Sequence, residues 1–217
     1  MKRMWILTVV IALVSLATLA QEKKADKKGE MKHDHAATEK GGAPPMPKPA
    51  PEMTKLIKMF SGTWTANEKV EANAMGNPKA LTGTGTAVFK PGPGGFTLIE
   101  EYNSPKGAMG PFTGHGITWW DAKSNSYKGT WCDSMAPECM TNSMKWEGDK
   151  LVSTPVEMDM GGKKTTTTMQ YTEFKPDSIT FEMGMGPTAA EAKTGMTIVY
   201  KKGGTATPAA KKEDAKK

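Results

Sequence analysis

The stretch Thr118–Met140, "TWWDAKSNSYKGTWCDSMAPECM", holds three tryptophans, two cysteines and two aspartates in 23 residues. It reads as two adjacent strand hairpins. The turn "DAKSN" joins the strands on either side of it, because Asp, Ser and Asn bond their own backbone and tolerate turn geometry. The second bend, "DSMAPE", lies between Cys132 and Cys139. Those two positions face each other across a hairpin, and an even cysteine count in an exported chain favours a disulfide. The competing reading is a soft-metal site, since Cys132, Met135, Cys139 and Met140 are the thiolate and thioether types that select Cu(I).

Outward from this stretch, short β-rich runs alternate with Gly, Pro, Asn and Asp. Ten strands are expected at 63–72, 80–90, 95–103, 112–120, 126–134, 139–147, 150–160, 164–174, 178–185 and 194–202. "PGPGG", "EGDK", "MGGK" and "KPDS" are further joints. Evenly spaced, hairpin-connected strands imply an up-and-down barrel or a two-sheet sandwich. Closure removes the raw edges a long meander would leave, so an all-β, antiparallel, lipocalin-like barrel is the expectation. Before the first strand, "PEMTKLIKMFSG" predicts a short helix that can plug one mouth. Pro51 opens it, Gly62 ends it, and Met53, Leu56, Ile57 and Phe60 share a face.

Strand alternation assigns an interior. Trp64, Ala66 and Val70 share a face, with Glu68 among them. Tyr127, Gly129 and Trp131 share another, continued by Asp133. Met140, Met144 and Trp146 line up, as do Val152, Thr154, Val156, Met158 and Met160. Ile179, Phe181, Met183 and Met185 follow, then Met196, Ile198 and Tyr200. The candidate ligand-contacting set is Trp64, Glu68, Tyr127, Trp131, Asp133, Met140, Met144, Trp146, Met158 and Met183. A Met- and Trp-rich interior either fills an irregular core or makes an adaptable apolar pocket. Ten strands leave more room than eight. Glycines 110, 114 and 116 alternate along one strand and leave space for a large neighbour, Trp120 or Trp131.

The ends of the chain differ in character. "MKRMWILTVVIALVSLATLA" has a basic start, an apolar run and small residues before Ala20, the pattern of a secretory signal peptide cleaved there. Residues 21–51 are a Lys- and Pro-rich tether without apolar periodicity, and 205–217 form a basic tail. The folded domain spans 52–204. The expected location is periplasmic or secreted, with no membrane span once the signal is removed. The formal charge is +6, but residues 52–204 carry 16 lysines and 16 acidic residues. The surplus lies in the ends, so the folded part has no footprint for nucleic acid. Met31, His33 and His35 in the tether could chelate Cu(II) or Zn only as a loose set.

Catalysis finds little support. His115 is the one histidine in the folded part, no nucleophile motif accompanies it, and no cofactor motif occurs. The leading reading is a binding module for a small apolar or amphipathic ligand. The alternatives are a structural or stress-related envelope protein without ligand and a copper binder. No feature of the sequence specifies an oligomeric state.

"GTW" after a short helix, "GGFTLIEEY", "MGPFTGHGITWWDAKSNSYKGTWCDSM" and "FEMGMGP…TIVYKK" occur in that order. In this the chain resembles the bacterial domain-of-unknown-function family 1579 (DUF1579), across roughly 54–202. The matching positions are Phe112, Gly114, Gly116, Ile117, Asp121, Tyr127, Trp131, Asp133, Ser134 and Met135. The resemblance implies a lipocalin-like barrel and assigns no catalytic role. Trp119–Trp120 stand where relatives often carry Gly-Tyr, and the cysteine pair looks like a local addition.

Overall fold

The computed structural model of the protein describes residues 46–159 and 164–203. The signal-peptide reading, most of the tether with Met31, His33 and His35, Met160 and the basic tail lie outside the described residues. Helix α1 (Pro51–Phe60) precedes eleven strand segments. They are β1 (Gly62–Val70), β2 (Leu81–Pro91), β3 (Thr97–Lys106), β4 (Phe112–Asp121), β5 (Ser126–Asp133) and β6 (Met140–Glu147). Then come β7 (Lys150–Ser153), β8 (Val156–Asp159), β9 (Lys164–Lys175), β10 (Ser178–Gly186) and β11 (Lys193–Lys202).

Every pairing is antiparallel. Strands β1 to β7 follow one another around the sheet, β9 pairs with β10, and β11 returns to β1. The sheet is therefore a closed barrel with no free long edge. Segments β7 and β8 both pair with β9 and together occupy one of its ten positions.

That break corrects the single strand expected at 150–160. Pro155 has no N–H to give to a ladder, and the chain leaves regular pairing at Thr154–Pro155. The interruption also switches which parity faces inward. Leu151 and Ser153 are buried and face Tyr171 and Met144 across the ladders, whereas Val152 pairs with Lys145 on the outer face. Val156 and Met158 return to the inner parity beyond the kink, opposite Thr167 and Thr165. Met158 sits on the rim and is 44 % exposed, so it does not line the interior.

Helix α1 forms because Pro51 stands at its start, with no N–H to leave unsatisfied, and because its apolar residues recur at helical spacing. Met53, Leu56 and Phe60 are buried in the barrel mouth. Each contributes roughly 1.5–3 kcal/mol of apolar burial. Both ends of the helix are tied to strands. The Tyr127 hydroxyl donates to the Glu52 carbonyl at 3.1 Å, and the Trp64 indole N–H donates to the Phe60 carbonyl at 2.7 Å. Gly62, at φ 132°, makes the sharp exit into β1 that a side chain would resist.

The two hairpins of the opening stretch are present. Asp121 caps the first turn, accepting from the Lys123 amide at 3.1 Å and the Ser124 hydroxyl at 2.6 Å. The Ser124 bond leads the effects that hold its carboxyl below the usual aspartate range. Cys132 and Cys139 form a disulfide across the second bend. Both sulfurs are consumed, so the soft-metal site built on them is not available. Replacing both cysteines with serine is expected to cost about 2.5 kcal/mol, the chain-entropy value for a closed loop of ~8 residues. Urea unfolding midpoints of the oxidised protein and the double-serine variant measure it, and equal midpoints would count against the entropic account.

The tryptophans divide. Trp120 and Trp131 turn toward the core, while Trp119 lies on the outer face with Ile117, both more than a third exposed. The alternating glycines explain where Trp131 goes. A Cβ at Gly114 would overlap its indole ring, and one at Gly116 would press it at 3.1 Å. Gly114→Ala is therefore expected to destabilise the barrel by about 2–3 kcal/mol through overpacking. Denaturant titration reads the loss, and trimming Trp131 to Leu in the same chain should shrink it.

Candidate functional site

The barrel interior has two ends of different character. At the α1 end lies a cavity of about 30 Å³. Leu56 and Phe60 of α1 cap it, and Phe89, Leu98, Leu151 and Tyr171 wall it. Thr118 and Met144 complete the lining, and one carboxyl, that of Glu100, is part of it. The volume is room for one or two water molecules. This is narrower than ten strands led one to expect, because Trp64, Trp131, three tyrosines and α1 fill the space. At the opposite mouth a concavity of about 660 Å³ is framed by Glu71–Gly76, Met185 and Lys193–Gly195. Thr165 completes its wall.

Glu100 comes from the middle of β3, opposite Phe89 of β2 and Gly116 of β4. Gly116 presents no side chain toward it, and the Glu100 Cβ lies 3.5 Å from where one would begin. No hydrogen bond or ion pair to the Glu100 carboxyl occurs among the described residues. The side chain is half-buried and lines the cavity. Desolvation pushes its pKa from 4.5 to about 8, so the group is largely a neutral acid at pH 7. Burial likewise pushes the Tyr171 and Tyr200 hydroxyls well above their ordinary range, with Glu100 adding to the shift.

Glu68, the inward acid seen in the sequence, is a different case. It is 8 % exposed, and its carboxyl accepts three hydrogen bonds. The Tyr102 hydroxyl donates at 2.7 Å, the Ser104 hydroxyl at 2.6 Å and the Ala108 amide at 2.6 Å. It fastens the β3–β4 turn to β1. Burial first, then the Glu68 bond, raises the Tyr102 pKa. Asp133 is also committed. It accepts from the Trp131 indole at 3.0 Å and from the amides of Met135 and Ala136 at 2.8 and 3.1 Å, capping the disulfide loop.

The remaining sequence-derived residues fall as follows. Trp64, Tyr127 and Met144 are buried in the core around the cavity, and only Met144 lines it. Trp146 packs on Phe174 and lies under the Lys55 ammonium at the α1 rim. Trp131 is half-buried against Phe112 and Tyr102 near the other end. Met140 pairs with Trp131, and Met183 lies between Met169 and Met196, away from the cavity. His115 is on the outer face, 3.0 Å from the Glu101 carboxyl, with no part in the interior. Among the described residues, no three His, Cys, Asp or Glu side chains gather as a metal would require.

What fold and site define together is a closed antiparallel barrel, plugged at one mouth by a helix and carrying one unpartnered acid beneath it. The family model "Protein of unknown function (DUF1579)" matches residues 49–202, and the chain belongs to that family. No curated protein matches it. Among solved structures it aligns with Rv2717c from M. tuberculosis at 12% identity and a TM-score of 0.47, over 72% of this chain and 99% of that one. It also aligns with a redesigned β-barrel, mFAP1, bound to DFHBI, at 15% identity and a TM-score of 0.34, over 67% and 97%. Neither likeness is close enough to carry an argument about a site. No helix among the described residues is long and apolar enough to cross a membrane.

Proposed function

We propose that this protein is an exported barrel that holds one small amphipathic ligand under α1, with the ligand's polar end on Glu100. The observation that carries the reading is the Glu100 carboxyl itself, set in an apolar cavity with no protein partner among the described residues. A carboxyl half-buried among apolar side chains, with no protein hydrogen bond, is open to pair with the polar end of a guest. The candidate lining residues Trp64, Tyr127, Met144 and Trp146 shape the α1 end. Glu68, Trp131, Asp133, Met140, Met158 and Met183 belong to the opposite half. Export is supported by the N-terminal apolar run and by the disulfide, which suits an oxidising compartment.

A ligand larger than two or three atoms must displace α1 outward. That displacement must give up part of what holds the helix, three buried apolar side chains and two hydrogen bonds to strands. Native mass spectrometry of the protein secreted into an oxidising compartment tests the reading. A discrete extra mass, lost on denaturation and lost in a Leu56→Asp variant, is the expected result. A bare chain two hydrogens light, unchanged by incubation with small amphiphiles, would instead favour a structural envelope protein. The small size of the cavity is the observation on that side.

A further inference from the structure

We propose that the ligand is an organic ammonium ion, an amine or quaternary ammonium with a short apolar tail, paired with the Glu100 carboxylate. This rests on the interior-ligand reading and names its chemical class. The geometry is that of one acid and three aromatic rings lining the same cavity. Phe60, Phe89 and Tyr171 all line the cavity that Glu100 enters. Phe60 lies 5.3 Å from Phe89 and 5.1 Å from Tyr171 between ring centroids. Ring faces attract a cation, and more strongly when water is excluded. No Lys, Arg or His lines the cavity, so the carboxylate has no counter-charge of its own. A wholly apolar guest would leave the acid's O–H and C=O unpaired, and an anion would meet a like charge once Glu100 loses its proton above about pH 8.

Binding is then a proton exchange. Glu100 gives its proton to solvent, the ammonium keeps its own, and the ion pair forms in a low-dielectric site where the attraction is large. Because the Glu100 pKa lies near 8, about one proton leaves per ligand at pH 7. The titratable groups near enough to feel the Glu100 charge are Tyr102 on its own strand, Tyr171 on β9 and Tyr200 on β11. The tyrosines are held protonated by burial and do not compete in this range. From β2, β4, β6, β7 and α1 the cavity receives only Phe89, Thr118, Met144, Leu151, Leu56 and Phe60. For a quaternary ammonium, affinity should therefore rise about tenfold per pH unit up to pH 8 and level off above it.

Calorimetric titration of the full mature chain with hexylammonium, hexyltrimethylammonium, 1-hexanol and hexanoate tests this, at pH 6 to 9 and in buffers of different ionisation heat. The expected result is binding of the two cations at least tenfold tighter than 1-hexanol, with proton release. Both the preference and the proton release should be lost in Glu100→Gln. Equal binding of hexylammonium and 1-hexanol, or cation binding unchanged by Glu100→Gln, overturns the cation assignment and leaves the ligand-binding reading standing. No binding of any of the four overturns both.

Discussion

Glu100→Gln is expected to make the barrel more stable at pH 8 and to leave it nearly unchanged at pH 4. The sign follows from where the proton sits. In the unfolded chain Glu100 ionises near 4.5, while in the fold burial moves the pKa to about 8. Between those values the unfolded state has released the proton and the folded state still holds it. Stability contributed by the group is full below pH 4.5 and falls as pH rises toward 8, by about 1.4 kcal/mol per pH unit. Above pH 8 both states are ionised and the loss stops growing. The amide of glutamine carries no charge at any of these pH values. Urea unfolding of both proteins at pH 5, 6.5 and 8 isolates the group, because every other titration is shared. Parallel stability curves would show that Glu100 is not desolvated.

Glu100 was not legible in the sequence, and the reason is physical. "TLIEEYNS" alternates apolar and acidic residues on both parities: Leu98 with Glu100, Ile99 with Glu101. Period two alone cannot say which acid turns inward. The register decides it, by placing Glu100 between Phe89 and Gly116 while Glu101 meets His115 outside. Where alternation was unambiguous the faces were readable. Trp64, Ala66 and Val70 are buried, and Asn67 and Lys69 are exposed. Gly114 and Gly116 of β4 announced a large neighbour correctly, because only a missing side chain can admit an indole, whereas Gly110 lies in the turn before β4 with no neighbour for a Cβ to meet. Pro155 stands inside the single strand expected at 150–160, and neither the break nor its effect on parity was read from it. How many residues a kink consumes depends on how β7 and β8 each find β9. Glu68 could be placed inside but not explained. Its donors lie 34 to 40 residues away on β3 and the turn beyond, and they meet it only when β1, β2 and β3 pair.

The two inward acids therefore predict opposite outcomes for the same substitution. Glu68→Gln is expected to destabilise the protein by about 3 kcal/mol, where Glu100→Gln stabilises it. Glu68 receives the hydroxyls of Tyr102 and Ser104 on one oxygen and the Ala108 amide on the other. A glutamine side chain offers one acceptor oxygen, and its NH₂ must point at one of those donors. At least one buried donor then loses its partner, at roughly 1–3 kcal/mol, and meets another N–H in the same space. The damage should concentrate at the β3–β4 turn, because Ala108 is the bond that holds Gly107–Gly110 to β1. Removing a donor as well should soften the loss. Tyr102→Phe combined with Glu68→Gln is expected to cost less than the two single losses together, the mark of a shared network. Guanidinium unfolding of the four proteins in that cycle measures the coupling, with amide exchange at Ala108 reporting the turn. Additive losses would mean that Glu68 and Tyr102 act independently. A stability gain would mean that this carboxyl, like that of Glu100, is held at a cost the fold does not recover.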